Sequence, residues 1–152
     1  MIKEVRLLYV PFKYFVSGHV SFVFKLINGE EIVISPEAKT DKFILLLGFT
    51  PFYRLHYRID TFSKFYAEIA QKNRRIHDTK LALDSSEANL LYRHVIDRMN
   101  ELQEGHVKYH TLFNSCITNV QNHLDQVKPS KIRFLSLFAP VRPQLLVREY
   151  YE

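Results

Sequence analysis

The longest periodic pattern in the chain is LALDSSEANLLYRHVIDRMNELQEG, residues 81–105. Ala88, Leu91, Tyr92, Val95, Met99 and Leu102 recur there at helical spacing and make one apolar face. Asp84 and Glu87 stand at the separation of a capping box, and Gly105 is placed to end the helix. A second stripe, Phe62, Phe65, Tyr66 and Ile69, makes DTFSKFYAEIAQK a helix that Asp60 or Thr61 can cap. A shorter helix is expected from Cys116 to about Val127, with Val120 and Leu124 on the face of the cysteine and Pro129 just beyond.

The periodicity changes to two in GHVSFVFKLINGEEIVIS, residues 18–35, which reads as a hairpin. Asn28-Gly29 suits a two-residue turn with two positive-φ positions, setting Ile27 opposite Glu30 and Val23 opposite Ile34. Alternation puts Val20, Phe22 and Phe24 on one side and His19, Ser21 and Val23 on the other. The same register carries Ser35, Glu37 or Lys39 toward the histidine, with Pro36 disturbing the ladder. YRLHYRI (53–59) predicts another strand, and KIRFLSLFAPVRPQLLVREYY holds possible strands broken by Pro140 and Pro143. Helices and antiparallel strands in separate stretches predict an α+β fold.

With 152 residues, 47% of them hydrophobic, the chain suits a single domain spanning 1–152 with one sizeable core. Lys3, Glu4 and Arg6 precede an apolar stretch that Pro11 and Lys13 soon break, which is not the order of a signal peptide. As written, the sequence predicts a cytoplasmic protein; a periplasmic or secreted location follows if it was cut from a longer exported chain. The apolar run FILLLGF is far shorter than the roughly 20 residues of a membrane helix, so no integral membrane segment is expected. The net charge of +5 is concentrated in QKNRRIHDTK, where residues 72–80 offer a site for an anionic partner or simply a solvated polar face. No ribonucleoprotein motif accompanies it.

Cys116 is the only cysteine. A lone sulfur cannot close an internal disulfide or by itself hold a structural metal, which leaves burial as a small apolar residue or reactivity. At a helix start, with Asn114 or Ser115 as cap, unpaired amides and the dipole favour the thiolate. Of seven histidines, His123 lies two turns further along the same helix, roughly 10 Å away. His94 and His77 read as surface residues. His106 and His110 have zinc-ligand spacing but flank Gly105 in a loop, so neither a metal nor a cofactor is expected. His19 begins a strand after Gly18, a residue that lets backbone and substrate approach closely.

GHVSFVF near the start, and YHTLFNSC after the helix introduced by LALDSSEANLL, resemble the Lnb N-terminal domain family, that of the lipoprotein intramolecular transacylase and its relatives. The resemblance spans about residues 17–127. It matches a Gly-His pair opening a strand (Gly18, His19) and a tyrosine seven residues before the cysteine (Tyr109, Cys116). Ser115 stands where relatives often have asparagine, with Asn114 one place further off. The resemblance implies a permuted papain-like fold of the NlpC type: an antiparallel sheet carrying the histidine, packed against helices, with the nucleophile at a helix N-terminus. Lipoprotein acyl transfer itself is not implied, because the membrane-spanning part of the full transacylase has no counterpart here.

These readings predict a Cys-His hydrolase or acyltransferase acting on an amide, ester or thioester through an acyl-enzyme, with His19 as base and the Cys116 N–H as oxyanion donor. Glu37 or Ser35 is expected to orient the imidazole, and Tyr109, Asn114 and Gly18 to lie around a peptide, peptidoglycan-like or lipid acyl substrate. The rivals are a papain-like binding module without turnover, its cysteine buried, and a basic accessory protein that meets nucleic acid through residues 72–80.

Overall fold

The structure, a computed structural model, describes residues 1–12, 18–40, 45–111 and 113–128. Its centre is a five-stranded antiparallel sheet of β1 (Ile2–Pro11), β2 (Gly18–Leu26), β3 (Glu31–Ala38), β4 (Leu55–Thr61) and β5 (His77–Lys80), in the order β4-β3-β2-β1-β5. The helices are α1 (Leu45–Gly48), α2 (Phe62–Gln71), α3 (Ser85–Glu104) and α4 (Cys116–Val127). The architecture is therefore α+β, as the change of periodicity predicts. The expected tail strands lie outside the described residues.

The two faces of the sheet are covered by different helices. Val20, Phe22, Phe24 and Ile34 point to one side and form a core with Leu91 and Val95 of α3 and Cys116, Val120 and Leu124 of α4. Leu8, Val10, Val23 and Val33 point to the other, onto Phe65 and Ile69 of α2. Each fully buried Phe or Leu contributes about 1.5–3 kcal/mol, which is what fixes the alternation of β2 against both layers. Three caps follow the sequence closely. Thr61 caps α2, Asp84 and Glu87 form the reciprocal box on α3, and Ser115 with Thr118 forms another on α4.

The hairpin register differs from the expectation by one residue. Val23 pairs with Val33 rather than Ile34, because the turn has three residues and only Gly29 has positive φ, at 91°. Leu26 N–H reaches Glu30 O at 2.8 Å and Gly29 N–H reaches Leu26 O at 3.0 Å, the pattern of a tight turn closed by a glycine bulge. β4 also begins two residues later than the predicted strand, and β1, β5 and α1 were not predicted. β5 lies inside the basic segment 72–80, where it pairs with β1 from Arg6↔Lys80 to Tyr9↔His77.

Candidate active site

Between β2 and β3 the ladder runs from Lys25↔Glu31 to Phe22↔Ile34 and ends there. Each strand nevertheless stays paired with its outer neighbour, β2 with β1 to Pro11↔Gly18 and β3 with β4 to Ala38↔Leu55. Beyond Phe22↔Ile34, β2 and β3 are joined by side chains, His19 and Ser21 both meeting Ser35. Pro36, opposite Val20 in the continued register, has no N–H with which to extend the ladder. The Val20 amide instead faces the sulfur of Cys116 and, with the N–H groups of Ile117 and Cys116 itself, pulls its thiol down.

The first turn of α4 therefore delivers its sulfur to this end of the sheet. Ser115 N–H donates to Thr118 Oγ1 at 2.7 Å, closing the capping box, and the buried Asn119 holds the segment before it. Asn119 Nδ2 donates to Asn114 Oδ1 at 2.9 Å and to Ser115 O at 2.8 Å, while Tyr57 of β4 donates to Asn119 Oδ1 at 3.1 Å. Cys116 is only 6% exposed. Burial pushes its thiol up to about 11, against the opposing pull of the three amides.

His19 lies one residue from Val20, on the other face of the sheet. It is opposite Val10, which packs against α2, and its Nε2 is paired with Ser35 Oγ. Ser21 donates to the same oxygen at 3.0 Å. Burial, with help from the positive charges of Arg58 and Arg74, lowers the imidazole to about 4. Thiol and imidazole are brought to adjacent residues of one strand, but the strand's alternation turns the ring toward α2 while the sulfur packs among the residues facing α3 and α4.

Of the two candidates for the third group, Ser35 is the one that touches His19. Glu37 is opposite His56, with Oε1 3.7 Å from its Nε2, and burial raises its carboxyl despite the nearby Arg58. Glu37 still acts on the thiol through space, raising it further. Tyr109 is buried with Tyr53 and Leu55, and burial together with the nearby Cys116 raises its phenol. Asn114 shapes the turn into α4, donating from Nδ2 to Lys108 O at 2.6 Å. The cap itself is Ser115. The space over Gly18 is taken by protein: a Cβ there would stand 2.4 Å from the Tyr9 ring and 2.6 Å from Val10 O.

A second polar group escaped the sequence reading. His123, 7% exposed and lowered by burial to about 4, shares a hydrogen bond of 2.8 Å with Tyr57 Oη. It lines a cleft of about 430 Å³ with His94, Arg98, Glu101 and Asn119. The available signal was that Asn119 and His123 are polar on the same side of α4 as Val120 and Leu124. Their partner Tyr57 is 62 and 66 residues away in sequence, so only folding reveals it. In residues 72–80 several side chains are engaged: Lys72 with Glu68 at 2.8 Å, Lys80 with Glu4 at 2.7 Å, and Arg74 over the Phe12 ring.

A family model described as the Lnb N-terminal periplasmic domain matches residues 7–149. No curated protein and no solved structure matches the chain. The family description names a periplasmic domain, so the cytoplasmic location expected from the first residues has no support. Among the described residues no helix is long and apolar enough to cross a membrane. With the match extending over nearly the whole length, the chain belongs to the Lnb N-terminal periplasmic domain family.

Proposed function

We propose that the chain is a periplasmic cysteine-dependent acyl-transfer enzyme, a hydrolase or acyltransferase formed by one domain of permuted papain-like, NlpC-type fold. The observation that carries this reading is the seat of the sulfur: the first residue of a capped helix, with backbone amides around it that favour negative charge, one of them from the residue next to His19. Amides that converge on a sulfur are equally placed to receive the negative oxygen of a tetrahedral intermediate.

With the thiol raised to about 11 and the imidazole lowered to about 4, both are uncharged at neutral pH. The reading is therefore general-base transfer rather than a preformed ion pair. His19 takes the thiol proton as the sulfur attacks the carbonyl, Ser35 orients the ring, and the Cys116 N–H holds the oxyanion. The acyl-enzyme is then resolved by water or a second acceptor. Substrate engagement must bring the ring toward the sulfur at the end of β2, beyond the last ladder pair Phe22↔Ile34. Peptide, peptidoglycan-like and lipid acyl groups are the substrate classes proposed, with Tyr109 and Asn114 near the acyl group.

The burial of Cys116 favours a second reading, a papain-like module without turnover. An activated ester such as p-nitrophenyl acetate separates the two. The enzyme is expected to give a burst of one equivalent and one acyl group on Cys116 by intact mass, both absent in Cys116→Ala. His19→Ala is expected to slow acylation roughly 10²–10⁴-fold. Folded protein that takes up no acyl group, and whose thiol is alkylated far more slowly than in the unfolded chain, would establish the module instead.

A further inference from the structure

The surface that adjoins the start of α4 is apolar and cationic at once. Leu46, Phe49, Phe52 and Phe113 are 77, 43, 64 and 72% exposed. The backbone brings the segments of Phe49 and Phe113 together, since Thr111 N–H donates to Gly48 O at 2.8 Å and the His110 ring lies 4.8 Å from Phe113 and 6.4 Å from Phe49; Leu46 precedes Phe49 by three residues and Phe52 follows it by three. Three exposed cations are joined through the backbone just beyond the ends of β3 and β4: Lys39 N–H donates to Arg54 O at 2.8 Å, and Arg54 bridges to Lys108. Among the described residues none of these three cations has a carboxylate partner. The chain has 16 Asp and Glu, yet none is among the described residues of 45–59 and 105–124, which carry Arg54, Lys108 and the exposed apolar side chains.

We propose that this face docks on an anionic lipid surface. Exposed rings and a leucine in one patch, flanked by basic residues, suit the boundary between acyl chains and headgroups, where aromatic side chains enter and Lys and Arg reach phosphate. A symmetric pair of chains meeting through the face would set its cations against themselves, because the same patch is used on both sides. Docking does not depend on turnover at Cys116. It would nevertheless bring the helix that begins three residues after Phe113 down to the lipid.

The chain has no tryptophan, so Phe113→Trp introduces a single reporter at an exposed position. The test uses the full chain with vesicles of phosphatidylglycerol and phosphatidylcholine, and with phosphatidylcholine alone. On anionic vesicles the Trp emission is expected to shift blue and the protein to sediment with lipid, at least tenfold more tightly than with neutral vesicles and less tightly in high salt. Phe52→Ser with Phe113→Ser is expected to lower partitioning tenfold or more, and each of Lys39→Gln, Arg54→Gln and Lys108→Gln by about fivefold. Failure to sediment with anionic vesicles overturns the proposal. So does binding that vanishes on neutralising Lys72, Arg74 and Arg75 but survives the face variants, or a blue shift that follows protein concentration without lipid and so reports a second copy.

Discussion

Gly18 holds its place because the Tyr9 ring occupies the space where a side chain would be. With a Cβ set 2.4 Å from that ring and 2.6 Å from a backbone oxygen, Gly18→Ala must move β1 or β2 where they carry Tyr9 and His19. The expected loss is about 1–3 kcal/mol in urea denaturation, the range of overpacked cores. The glycine is recognisable from sequence as a special position, but its reason is not: sequence suggests room for a substrate, whereas the structure fills that room with an aromatic ring nine residues earlier. The same holds for Ser35 and Glu37. Alternation puts both on the face of His19, and only the coordinates show the ring nitrogen on Ser35 and the carboxylate beside His56.

Helix α4 is positioned by two devices of unequal reach. The Ser115–Thr118 box is local and visible in sequence, and it organises the turn that presents Cys116. Asn119 is the long-range device, joining Asn114 and Ser115 to Tyr57 across the core. Ser115→Ala is expected to cost about 1 kcal/mol, as for a lost N-cap. Asn119→Ala strands buried polar partners on both sides and is expected to cost about 2–3 kcal/mol by the same denaturation assay. The reverse order of effects would mean that α4 is held by its cap and not by β4. For the hairpin, the sequence predicts both strands and the turn but misses the register, since Asn28-Gly29 suits a two-residue and a three-residue loop alike. The bulge at Gly29 chooses the latter, and that shift sets Pro36 opposite Val20.

At the scale of the molecule, buried imidazoles tie stability to pH. Burial holds His123 at about 4 in the folded protein against 6.5 as its ordinary value, so the unfolded chain binds its proton first as the pH falls. The contribution of His123 is therefore complete above pH 6.5, declines between 6.5 and 4, and is lost below, about 3 kcal/mol in all. His19 titrates in the same window and in the same direction. Denaturation midpoints measured from pH 7 to 4 are expected to fall, and to fall less in His123→Gln; equal slopes would exclude His123 as a source. Local periodicity and capping chemistry sufficed for α2, α3, α4 and the central hairpin, because those signals act within a few residues. The same local signals brought out Cys116 at a helix start and His19 at a strand start. The sides of the sheet on which sulfur and imidazole lie, the end of the β2–β3 ladder beside Pro36, the Tyr57–Asn119–His123 group and the meeting of Phe49 and Phe113 around His110 were decided by tertiary structure. Each depends on contacts between segments far apart in the chain, which no local pattern encodes.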